Sequence, residues 1–465
     1  MLHRRIAKAL ALGIILGALG SCATVPDVEP VLAQAANADA KPQLVGARGA
    51  LSAAQSNATL EKVRAHAPDS DILQRHQAIM EAIADSPLVV GNRVRILRDG
   101  VPTFNAMFAA IRSARDHVNL EYYIVEDIES SGERLGDLLM AKSAQGVQVN
   151  IIYDSYGSNA TPVAFFERLK AGGINVVEFN PVNPFAGKVG YSPNNRDHRK
   201  ILVVDGATAI VGGVNLSATH EVRRLAKSGA IKGIPSEFWR DTDLQIEGPA
   251  VAELQKLFLE HWSAQEGPAL IQAKFFPTVT PKGSEIVRTL GSAPKDATPR
   301  YYVAMLSAIR NAEERIWLAT AYFVPTDKEL EDLSAAARRG VDVRLLLPGE
   351  SDSESSLVVG RSNYRQLLEA GVKIYETSDM VLHSKTVVVD GVWSMVGSSN
   401  LDHRSVIHND EVDAVVLGRE TGQQMEAMFE ADLKQATPIE LAAWKARPLS
   451  TKIKEIFYSV WRNQL

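Results

Sequence analysis

The chain contains two copies of a histidine, a lysine and an aspartate at identical spacing. The first copy is His198, Lys200 and Asp205 in DHRKILVVDG, and the second is His383, Lys385 and Asp390 in LHSKTVVVDG. Phosphodiester exchange without a metal needs a nucleophile, a group that transfers protons, and fixed positive charge around the phosphate oxygens. Two imidazoles and two lysines supply these groups, so the two motifs together predict one phosphate-handling site.

A turn of small residues and an asparagine follow each copy, as GGVN after the first and GSSN after the second. Asn215 and Asn400 occupy the same place relative to the aspartate of their motif. A primary amide donates hydrogen bonds to phosphate oxygens, and a nearby lysine adds positive charge. We therefore expect both asparagines and both lysines to bind the substrate phosphate. Because GGVN and GSSN follow the two motifs at the same distance, the repetition of the motif is not due to chance.

The repeated motif resembles the double HKD signature of the phospholipase D superfamily. The stretches NLEYYIVED, FWRDTDLQIEGPAV and HSKTVVVDGVWSMVGSSNLDHRS are more similar to bacterial cardiolipin synthases than to secreted phospholipases or endonucleases, from about Asn92 to the C-terminus. The resemblance implies that one histidine attacks phosphorus to form a phosphohistidine while the other transfers protons. The N-terminal histidine is more often the nucleophile in the superfamily, which favours His198 for attack and His383 for proton transfer. The spacing itself does not separate the two roles.

Two acidic residues downstream of the motifs are candidates for orienting the histidines. Asp241 in WRDTDLQIEG and Glu411 in HNDEVDAVVLG each lie two residues before an aspartate and seven before a glycine. A nucleophilic imidazole needs an acceptor on its other ring nitrogen to fix the tautomer, and the superfamily carries an orienting carboxylate in this region. Ordinary strand-edge acids are the alternative. The family usually has an aromatic or apolar residue before the glutamate, where this chain has Asp410.

The aspartate of each motif is predicted to support a turn. In an extended strand, residues two apart share a face, so His198 and Lys200 leave the sheet together. Asp205 lies at the other end of the same hydrophobic run, and Asp390 has the same place in the second copy. A direct role in the chemistry is the less favoured alternative for both aspartates.

The repeat extends well beyond the motifs. AAIRSARDHVNLEYYIV is matched by SAIRNAEERIWLATAYFV, and GVQVNIIYD by GVDVRLLLP, at a separation of roughly 190 residues. Alternating helix and strand patterns predict an α/β fold with two tandem phospholipase D-like domains, each a mostly parallel β-sheet flanked by helices, related by a pseudo-twofold axis around one shared active site. We place the first domain at residues 91–280 and the second at residues 281–465. One chain then supplies both halves, which favours a monomer.

The N-terminus has the pattern of an exported lipoprotein. A basic start precedes an apolar run from Ala9 to about Leu19, which is too short to span a bilayer comfortably. The run ends in LGSC, which resembles the lipobox of bacterial lipoproteins, and Cys22 is the only cysteine of the chain. We therefore predict a signal peptide over residues 1–21 and a lipid on Cys22, with an ordinary secretory signal as the alternative.

Residues 22–90 are predicted to form a linker with one short helical segment. The sequence from Ala23 to about Ala58 is rich in Ala, Asn, Gln and Pro and shows little hydrophobic periodicity. Because Ala23 and not an aspartate follows the cysteine, resemblance to lipoprotein sorting favours the outer membrane or periplasmic face of the bacterial cell envelope over the inner membrane. The predicted partner of such an anchored protein is a membrane surface.

The bulk composition excludes several classes of protein. The 465 residues are 46% hydrophobic and 23% charged, which is typical of a folded protein and not of a disordered or polytopic one. A formal net charge of -5 argues against a general nucleic-acid binder. The histidines outside the two motifs lack the spacing to carboxylates or cysteines that marks a metal site, so we expect neither a metal nor another cofactor.

The leading functional hypothesis is a membrane-associated phosphatidyltransferase that acts on phosphatidylglycerol in the manner of a cardiolipin synthase. The alternative is a phospholipase D that uses water as the acceptor and releases phosphatidic acid, because the motifs do not specify the acceptor. A nuclease of the same superfamily is less favoured, given the acidic net charge. A catalytically silent lipid-binding scaffold is also less favoured, because it would have no physical need for two intact motifs.

The C-terminal sequence ARPLSTKIKEIFYSVWRNQL has the pattern of an amphipathic helix. It places Ile453, Ile456, Phe457 and Val460 at helical spacing, with lysines beside them. A terminal helix docked on its own domain is the favoured interpretation. A helix that lies on a membrane surface is the alternative.

Overall fold

The predicted signal peptide and Cys22 lie outside the residues that the structure describes. The computed structural model describes residues 24–36, 42–65, 71–83, 86–183, 191–220, 238–270, 273–377, 380–460 and 462. In this part of the chain, no helix combines the length and the apolar character that crossing a membrane requires.

Helices and strands alternate through most of the chain. The α-helices of the described residues are α1 (Glu29–Ala36), α2 (Ala53–Arg64), α3 (Arg75–Ile83), α4 (Gly100–Ser113), α5 (Leu135–Ala144), α6 (Val163–Ala171), α7 (Val251–Ala264), α8 (Arg300–Arg310), α9 (Asp327–Arg338), α10 (Glu354–Ser362), α11 (Tyr364–Ala370), α12 (His403–Ile407), α13 (Arg419–Leu433), α14 (Leu441–Lys445) and α15 (Leu449–Ser459). The strands are β1 (Leu44–Gly46), β2 (Gly49–Ala50), β3 (Leu88–Arg98), β4 (His117–Tyr122), β5 (Glu129–Ser130), β6 (Glu133–Arg134), β7 (Gln148–Asp154), β8 (Asn175–Phe179), β9 (Arg196–Asp197), β10 (Lys200–Val204), β11 (Thr208–Gly212), β12 (Phe238–Arg240), β13 (Thr242–Glu247), β14 (Glu285–Ser292), β15 (Arg315–Ala319), β16 (Phe323–Val324), β17 (Asp342–Pro348), β18 (Lys373–Thr377), β19 (Met380–Leu382), β20 (Thr386–Val389), β21 (Trp393–Gly397), β22 (Leu401–Asp402), β23 (Asn409–Leu417) and β24 (Ala436–Pro438).

The two halves of the chain build the same sheet, strand for strand. In the first half the strands lie in the order β3, β13, β11, β10, β4, β7, β8. In the second half the order is β14, β23, β21, β20, β15, β17, β18. The antiparallel pair of β3 and β14 joins the two sheets. The structure therefore confirms an α/β fold made of two tandem, related units.

Strand direction within these two sheets follows from how the strands are connected. β4, β7 and β8 run parallel, as do β15, β17 and β18. The helix between two consecutive strands carries the chain back to the end of the sheet where the first strand began, so the next strand runs in the same direction. The motif strands β10 and β20 instead run antiparallel to both of their neighbours. Parallel pairing thus applies to the predicted βα units, whereas the motif hairpins are antiparallel.

The two sheets pack face to face, and α7 and α13 also add buried side chains to the core between them. Consecutive residues of β10 point to opposite faces of the sheet. Val203 belongs to the inner core, which lies between the two sheets, and Leu202 belongs to the outer core of the first half. The inner core also contains Val388 of β20 and Val412 of β23, so it lies between the two halves. Burial on both faces explains why the motif strands are continuous hydrophobic runs in the sequence.

Each motif ends in a tight hairpin turn. Asp205 and Gly206 have φ values of 51° and 60°, and Asp390 and Gly391 have values of 51° and 67°. These two residues are the centre of a tight turn, which closes where the N–H of residue 207 donates to the carbonyl of Val204 at 3.0 Å and the N–H of residue 392 to that of Val389 at 3.2 Å. The predicted Asp-Gly turns are therefore present in both halves.

The motif aspartates bind backbone at the end of the strand that is remote from the histidines. The Asp205 carboxylate accepts hydrogen bonds from the N–H groups of residues 115–117 at 2.9 to 3.0 Å. The Asp390 carboxylate accepts them from residues 313–315 at 2.9 to 3.0 Å. Each aspartate thus fixes its hairpin to the start of the neighbouring strand, β4 or β15.

We expect Asp205→Ala to lower the free energy of unfolding by about 1 to 3 kcal/mol, because three backbone donors lose a charged acceptor and alanine is strained at positive φ. Urea unfolding followed by circular dichroism measures this change. Asp205→Asn keeps an oxygen acceptor and tolerates the turn, so it should cost less. An alanine variant as stable as the unmodified protein would contradict this role.

The described parts of the segment predicted as a linker are folded instead. Val28 just before α1, Leu32 of α1, Leu60 of α2 and Ile79 of α3 are buried in the outer core of the second half. Arg310 of α8 also pairs with a carboxylate of α1. These helices are short and each buries only a few side chains, so the sequence shows little of the periodicity on which such a prediction depends. The linker prediction for residues 22–90 is corrected accordingly.

Candidate active site

Each histidine motif is held by a strand from the other half of the chain. β9, which precedes His198, pairs with the start of β23, and the backbone N–H of His198 donates to the carbonyl of Asp410 at 2.9 Å. β19, which precedes His383, pairs with β12, and the backbone N–H of His383 donates to the carbonyl of Arg240 at 2.8 Å. The pairing therefore places both predicted orienting acids directly beside the histidines.

His198 is paired with Glu411 of the second half. Its Nδ1 lies 3.1 and 3.0 Å from the two carboxylate oxygens of Glu411. The Glu411 carboxylate also accepts hydrogen bonds from Ser398 at 2.5 Å, Ser405 at 2.9 Å and Asn409 at 3.0 Å. Burial alone would raise the pKa of Glu411, but His198, the nearby positive charge and these donors hold it below its ordinary value. Glu411 is therefore an ionised acceptor.

His383 is paired with Asp241 of the first half. Its Nδ1 lies 2.7 Å from Oδ2 of Asp241, whose Oδ1 accepts the backbone N–H of Thr242 at 2.8 Å. Burial raises the pKa of Asp241, and the positive charge of Lys385 only partly offsets this effect. The second pair has fewer donors than the first, so the two halves of the site are electrostatically unequal.

The motif lysines and the turn asparagines occupy matched positions in the two halves. Lys200 Nζ donates to the His198 carbonyl at 2.5 Å, and Lys385 Nζ donates to the His383 carbonyl at 2.6 Å. The side-chain oxygen of Asn215 accepts the backbone N–H of residue 124 at 3.4 Å, and that of Asn400 accepts the N–H of residue 322 at 3.4 Å. Since the oxygens face the backbone, the amide nitrogens keep their donors for a phosphate.

Burial lowers the pKa values of the two motif histidines and the two motif lysines. It lowers the pKa of His198 to about 4, and together with Lys385 and Lys200 it lowers the pKa of His383 well below the ordinary value. Burial also lowers the pKa of Lys200 to about 7 and lowers that of Lys385. A bound phosphate would reverse these shifts, because its negative charge favours the protonated forms. The site is thus built to receive an anion.

Each half places one tyrosine near its histidine, although the two tyrosines do not occupy equivalent positions of the repeat. The ring centroid of Tyr123 is 5.3 Å from that of His198, and the ring centroid of Tyr322 is 6.5 Å from that of His383. The Tyr322 hydroxyl donates to the carboxylate of Asp352 at 2.9 Å. Both aromatic rings thus lie beside a motif histidine.

Sequence reasoning missed a third histidine beside the second pair. His220 is buried, its ring centroid lies 5.6 Å from that of His383, and its Nδ1 lies 4.0 Å from Oδ2 of Asp241. Burial lowers the pKa of His220 to about 3, so the ring is neutral. No regular spacing links His220 to either motif, so its place beside His383 could not be predicted from the sequence.

Two groups of side chains in the described residues have the ligand types of a metal site. They are His220, Asp241 and His383, and Glu121, Asp197 and His261, and the ligand atoms of each group lie within 4.8 Å of one another. In the first group a lysine lies beside the ligands, since Lys385 Nζ is 3.0 Å from a ring nitrogen of His383. In the second, Arg199 pairs with Glu121 at 3.3 Å. In each group a basic side chain therefore already lies beside the candidate ligand atoms.

Comparison with known proteins gives a consistent picture. Residues 107–224 and 305–433 match the family described as cardiolipin synthase, PLD-like domain. The cardiolipin synthase of Geobacillus thermodenitrificans (strain NG80-2) is 36% identical over 379 residues, which cover 80% of this chain and 72% of that protein. Cardiolipin synthase A of Pseudomonas putida (strain GB-1) is 34% identical over 362 residues, which cover 77% of this chain and 72% of that protein.

A solved structure shares the architecture. The phosphatidylserine synthase of Haemophilus influenzae Rd KW20 aligns with a TM-score of 0.61 at 11% identity, over 87% of this chain and 100% of that one. At this identity the likeness concerns the fold alone. The family match, the relatives and the paired motifs together confirm the predicted class: the chain belongs to the cardiolipin synthase family of PLD-like proteins and is a phosphatidyltransferase of the phospholipase D superfamily.

Proposed function

We propose that this enzyme joins two phosphatidylglycerol molecules into cardiolipin and releases glycerol. The observation that supports this reaction most directly is the crossed arrangement, in which each motif histidine is hydrogen bonded to a carboxylate of the other half. Two oriented imidazoles and two lysines at one buried site can transfer a phosphatidyl group in two displacements. The first displacement loads the enzyme, and the second delivers the group to an acceptor alcohol.

In the first displacement, His198 Nε2 attacks phosphorus while its Nδ1 proton stays on the hydrogen bond to Glu411. The bond from phosphorus to the glycerol headgroup oxygen breaks. His383 is neutral in the free protein and takes up a proton when the anionic phosphate binds, and it donates this proton to the oxygen, which leaves as glycerol. Lys200, Lys385 and the two turn asparagines would hold the non-bridging oxygens. The product is a phosphatidyl-histidine on His198 and a neutral His383.

The inequality of the two carboxylates favours His198 as the nucleophile. A phosphorylated imidazole that keeps its Nδ1 proton carries a positive charge, so an ionised partner stabilises it. Glu411 has a pKa below its ordinary value and three further donors, whereas burial raises the pKa of Asp241. The histidine beside Glu411 is therefore the better site for a cationic intermediate.

In the second displacement, the terminal hydroxyl of another phosphatidylglycerol replaces glycerol in the site. His383 accepts the hydroxyl proton, the oxygen attacks phosphorus, and the bond from phosphorus to His198 breaks. Cardiolipin leaves, and both histidines return to their starting protonation states. Water could enter the same position and would give phosphatidic acid, so the identity of the acceptor is decided at this step.

A product assay separates these two acceptors. Purified enzyme is supplied with phosphatidylglycerol labelled in both the acyl chains and the headgroup glycerol, and the products are resolved by chromatography. Cardiolipin together with free glycerol is the expected result. Phosphatidic acid as the sole lipid product would contradict the proposal and identify a phospholipase D.

The alkaline limb of the pH profile should report Lys200. Its pKa of about 7 means that the ammonium group is present below that pH and is lost above it. We therefore expect kcat/KM to fall as the pH rises through about 7. The fall in kcat should occur at a higher pH, because bound phosphate favours the protonated lysine. Lys200→Arg keeps its charge, so its activity should lack this limb. An unchanged limb in that variant would assign the titration to another group.

The proposed setting is the bacterial cell envelope, with the protein held by a lipid on Cys22 after removal of residues 1–21. The lipobox-like LGSC sequence and the single cysteine support this location. We also propose that the enzyme acts as a monomer, because one chain supplies both motifs, and that it does not bind nucleic acid, given its net charge of -5. Incorporation of labelled palmitate in cells, and its loss in Cys22→Ala, tests the anchor.

A further inference from the structure

Helix α15 presents a row of large apolar side chains to solvent. Leu449, Ile453, Ile456, Phe457 and Val460 are between 59% and 76% exposed. At the helical repeat these five positions fall within an arc of about 100°. Scattered apolar residues are normal on a protein surface, whereas a continuous apolar row marks a place where the protein meets another surface.

The opposite side of the helix is fixed to the second half of the chain. Glu455 is only 7% exposed and pairs with Arg447 at 2.5 Å. Lys454 pairs with Glu354, the first residue of α10, at 2.6 Å, and α15 packs along α10. Because these contacts set the rotation of the helix about its axis, the outward direction of the apolar row is a property of the fold.

The charges on this helix suit an anionic surface. Lys452 and Lys454 lie on the two sides of the apolar arc, each within about 60° of its edge. Glu455 is the one acidic residue in the sequence of α15, and it faces inward. Lys452 and Lys454 are therefore the charged side chains that flank the apolar row, and Lys454 shares its charge with Glu354 of α10.

The helix also lies close to the catalytic residues. Glu354 at the start of α10 is the partner of Lys454. Asp352, two residues earlier, accepts a hydrogen bond from the hydroxyl group of Tyr322 at 2.9 Å. The ring of Tyr322 in turn lies 6.5 Å from that of His383. A continuous series of contacts therefore connects α15 with the second motif histidine.

We propose that α15 is a docking helix that lies on an anionic phospholipid bilayer. Its apolar row would enter the region between headgroups and acyl chains, with Lys452 and Lys454 at the level of the phosphates. This inference rests on the proposed function, since a lipid substrate must reach the site from a bilayer. A second copy of this chain is a less suitable occupant, because a symmetric contact would bring identical basic faces together.

Site-specific fluorescence tests the contact directly. Cys22→Ser removes the single cysteine, so the full chain can carry one environment-sensitive dye at Phe457→Cys. The matched control is Phe276→Cys, because Phe276 is 58% exposed and lies in the segment beside the Asp205 turn, remote from the histidines. Both labelled proteins are mixed with vesicles of phosphatidylglycerol and phosphatidylcholine, and with vesicles of phosphatidylcholine alone.

We expect the emission of the dye at position 457 to shift to shorter wavelength and to increase about threefold or more on anionic vesicles, as a helix buried in the interface requires. The dye at position 276 should not respond. Equal responses at the two positions, or no response at 457 while the protein sediments with the vesicles, would overturn the proposal. A response at 457 that depends on protein concentration without vesicles would assign the surface to a second copy.

An activity comparison separates this inference from the proposed reaction. Phe457→Asp should lower turnover on vesicles by about tenfold or more, since charge in an apolar interface weakens binding. It should leave turnover of dispersed short-chain phosphatidylglycerol unchanged, and Phe276→Asp should affect neither. Normal vesicle turnover in Phe457→Asp would overturn the docking role. Inactivity of the unmodified enzyme on both substrates would count against the proposed reaction and leave the fluorescence result standing.

Discussion

Replacing His198 with glutamine is expected to lower kcat by a factor of about 10⁴ or more, because the covalent step loses its nucleophile. His383→Gln is expected to cause a similar loss in the complete reaction, because the leaving glycerol oxygen receives no proton. The two variants should differ in the intermediate. With a substrate whose leaving group needs no proton, such as a p-nitrophenyl ester, His383→Gln should still become labelled, whereas His198→Gln should not.

The labelling experiment uses phosphatidyl-p-nitrophenol with a radioactive acyl chain, acid-free denaturation and gel electrophoresis. Release of the label by mild acid identifies phosphohistidine, which is labile under these conditions. The neutral state of both imidazoles in the free protein makes either one competent to attack, so the assignment depends on their carboxylate partners. Labelling of His198→Gln in place of His383→Gln would reverse the roles, and equal labelling of both would exclude a dedicated nucleophile.

Glu411→Gln should lower kcat by a factor of about 10² to 10⁴, although Glu411 lies 213 residues from the histidine it orients. The amide can still occupy the same space, but it offers an N–H group where the imidazole needs an acceptor, so the wrong tautomer of His198 is favoured. The matched variant Asp241→Asn should act in the same way on His383. Steady-state turnover on dispersed phosphatidylglycerol, with KM determined separately, measures both effects.

Asp410→Asn provides the control for the loss of negative charge. Asp410 is the neighbour of Glu411, but its side chain lies 3.7 Å from Arg199, and it holds His198 only through its backbone carbonyl. The control should retain most of its turnover. If the Glu411→Gln variant loses no more activity than Asp410→Asn, the carboxylate contributes only to the local field and does not orient the histidine.

The residues that the fold brings together could be selected from the sequence. Spacing selected His198, His383 and their lysines, and the matched distances to Gly248 and Gly418 selected both acids as candidates. These residues can be recognised because the second half repeats the first. A candidate position therefore occurs twice at the same spacing, whereas the residues around it differ between the halves. The hairpin turns were readable for a different reason, because Asp-Gly between two apolar runs has few other conformations.

The assignment of partners was beyond the sequence. Whether Glu411 serves His198 or His383 depends on the pairing of β9 with β23, two strands of two residues and nine residues that lie far apart in the chain. Long-range pairing of so short a strand leaves no periodic signal. His220 was missed for a related reason, since a single histidine becomes meaningful only when the fold brings it to Asp241. The helices before β3 were missed because their few buried side chains are widely spaced.

The pairing of β9 with β23 also determines when the enzyme can first act during its own synthesis. His198 has no orienting carboxylate until the 213 residues that separate it from Glu411 have been made. At typical elongation rates of about 5 to 20 residues per second, this interval lasts roughly 10 to 40 seconds. A partly made chain that carries only its first motif lacks both Glu411 and His383, so on the proposed mechanism it cannot transfer a phosphatidyl group. On the same mechanism, activity begins only when the second half has been made and has paired with the first.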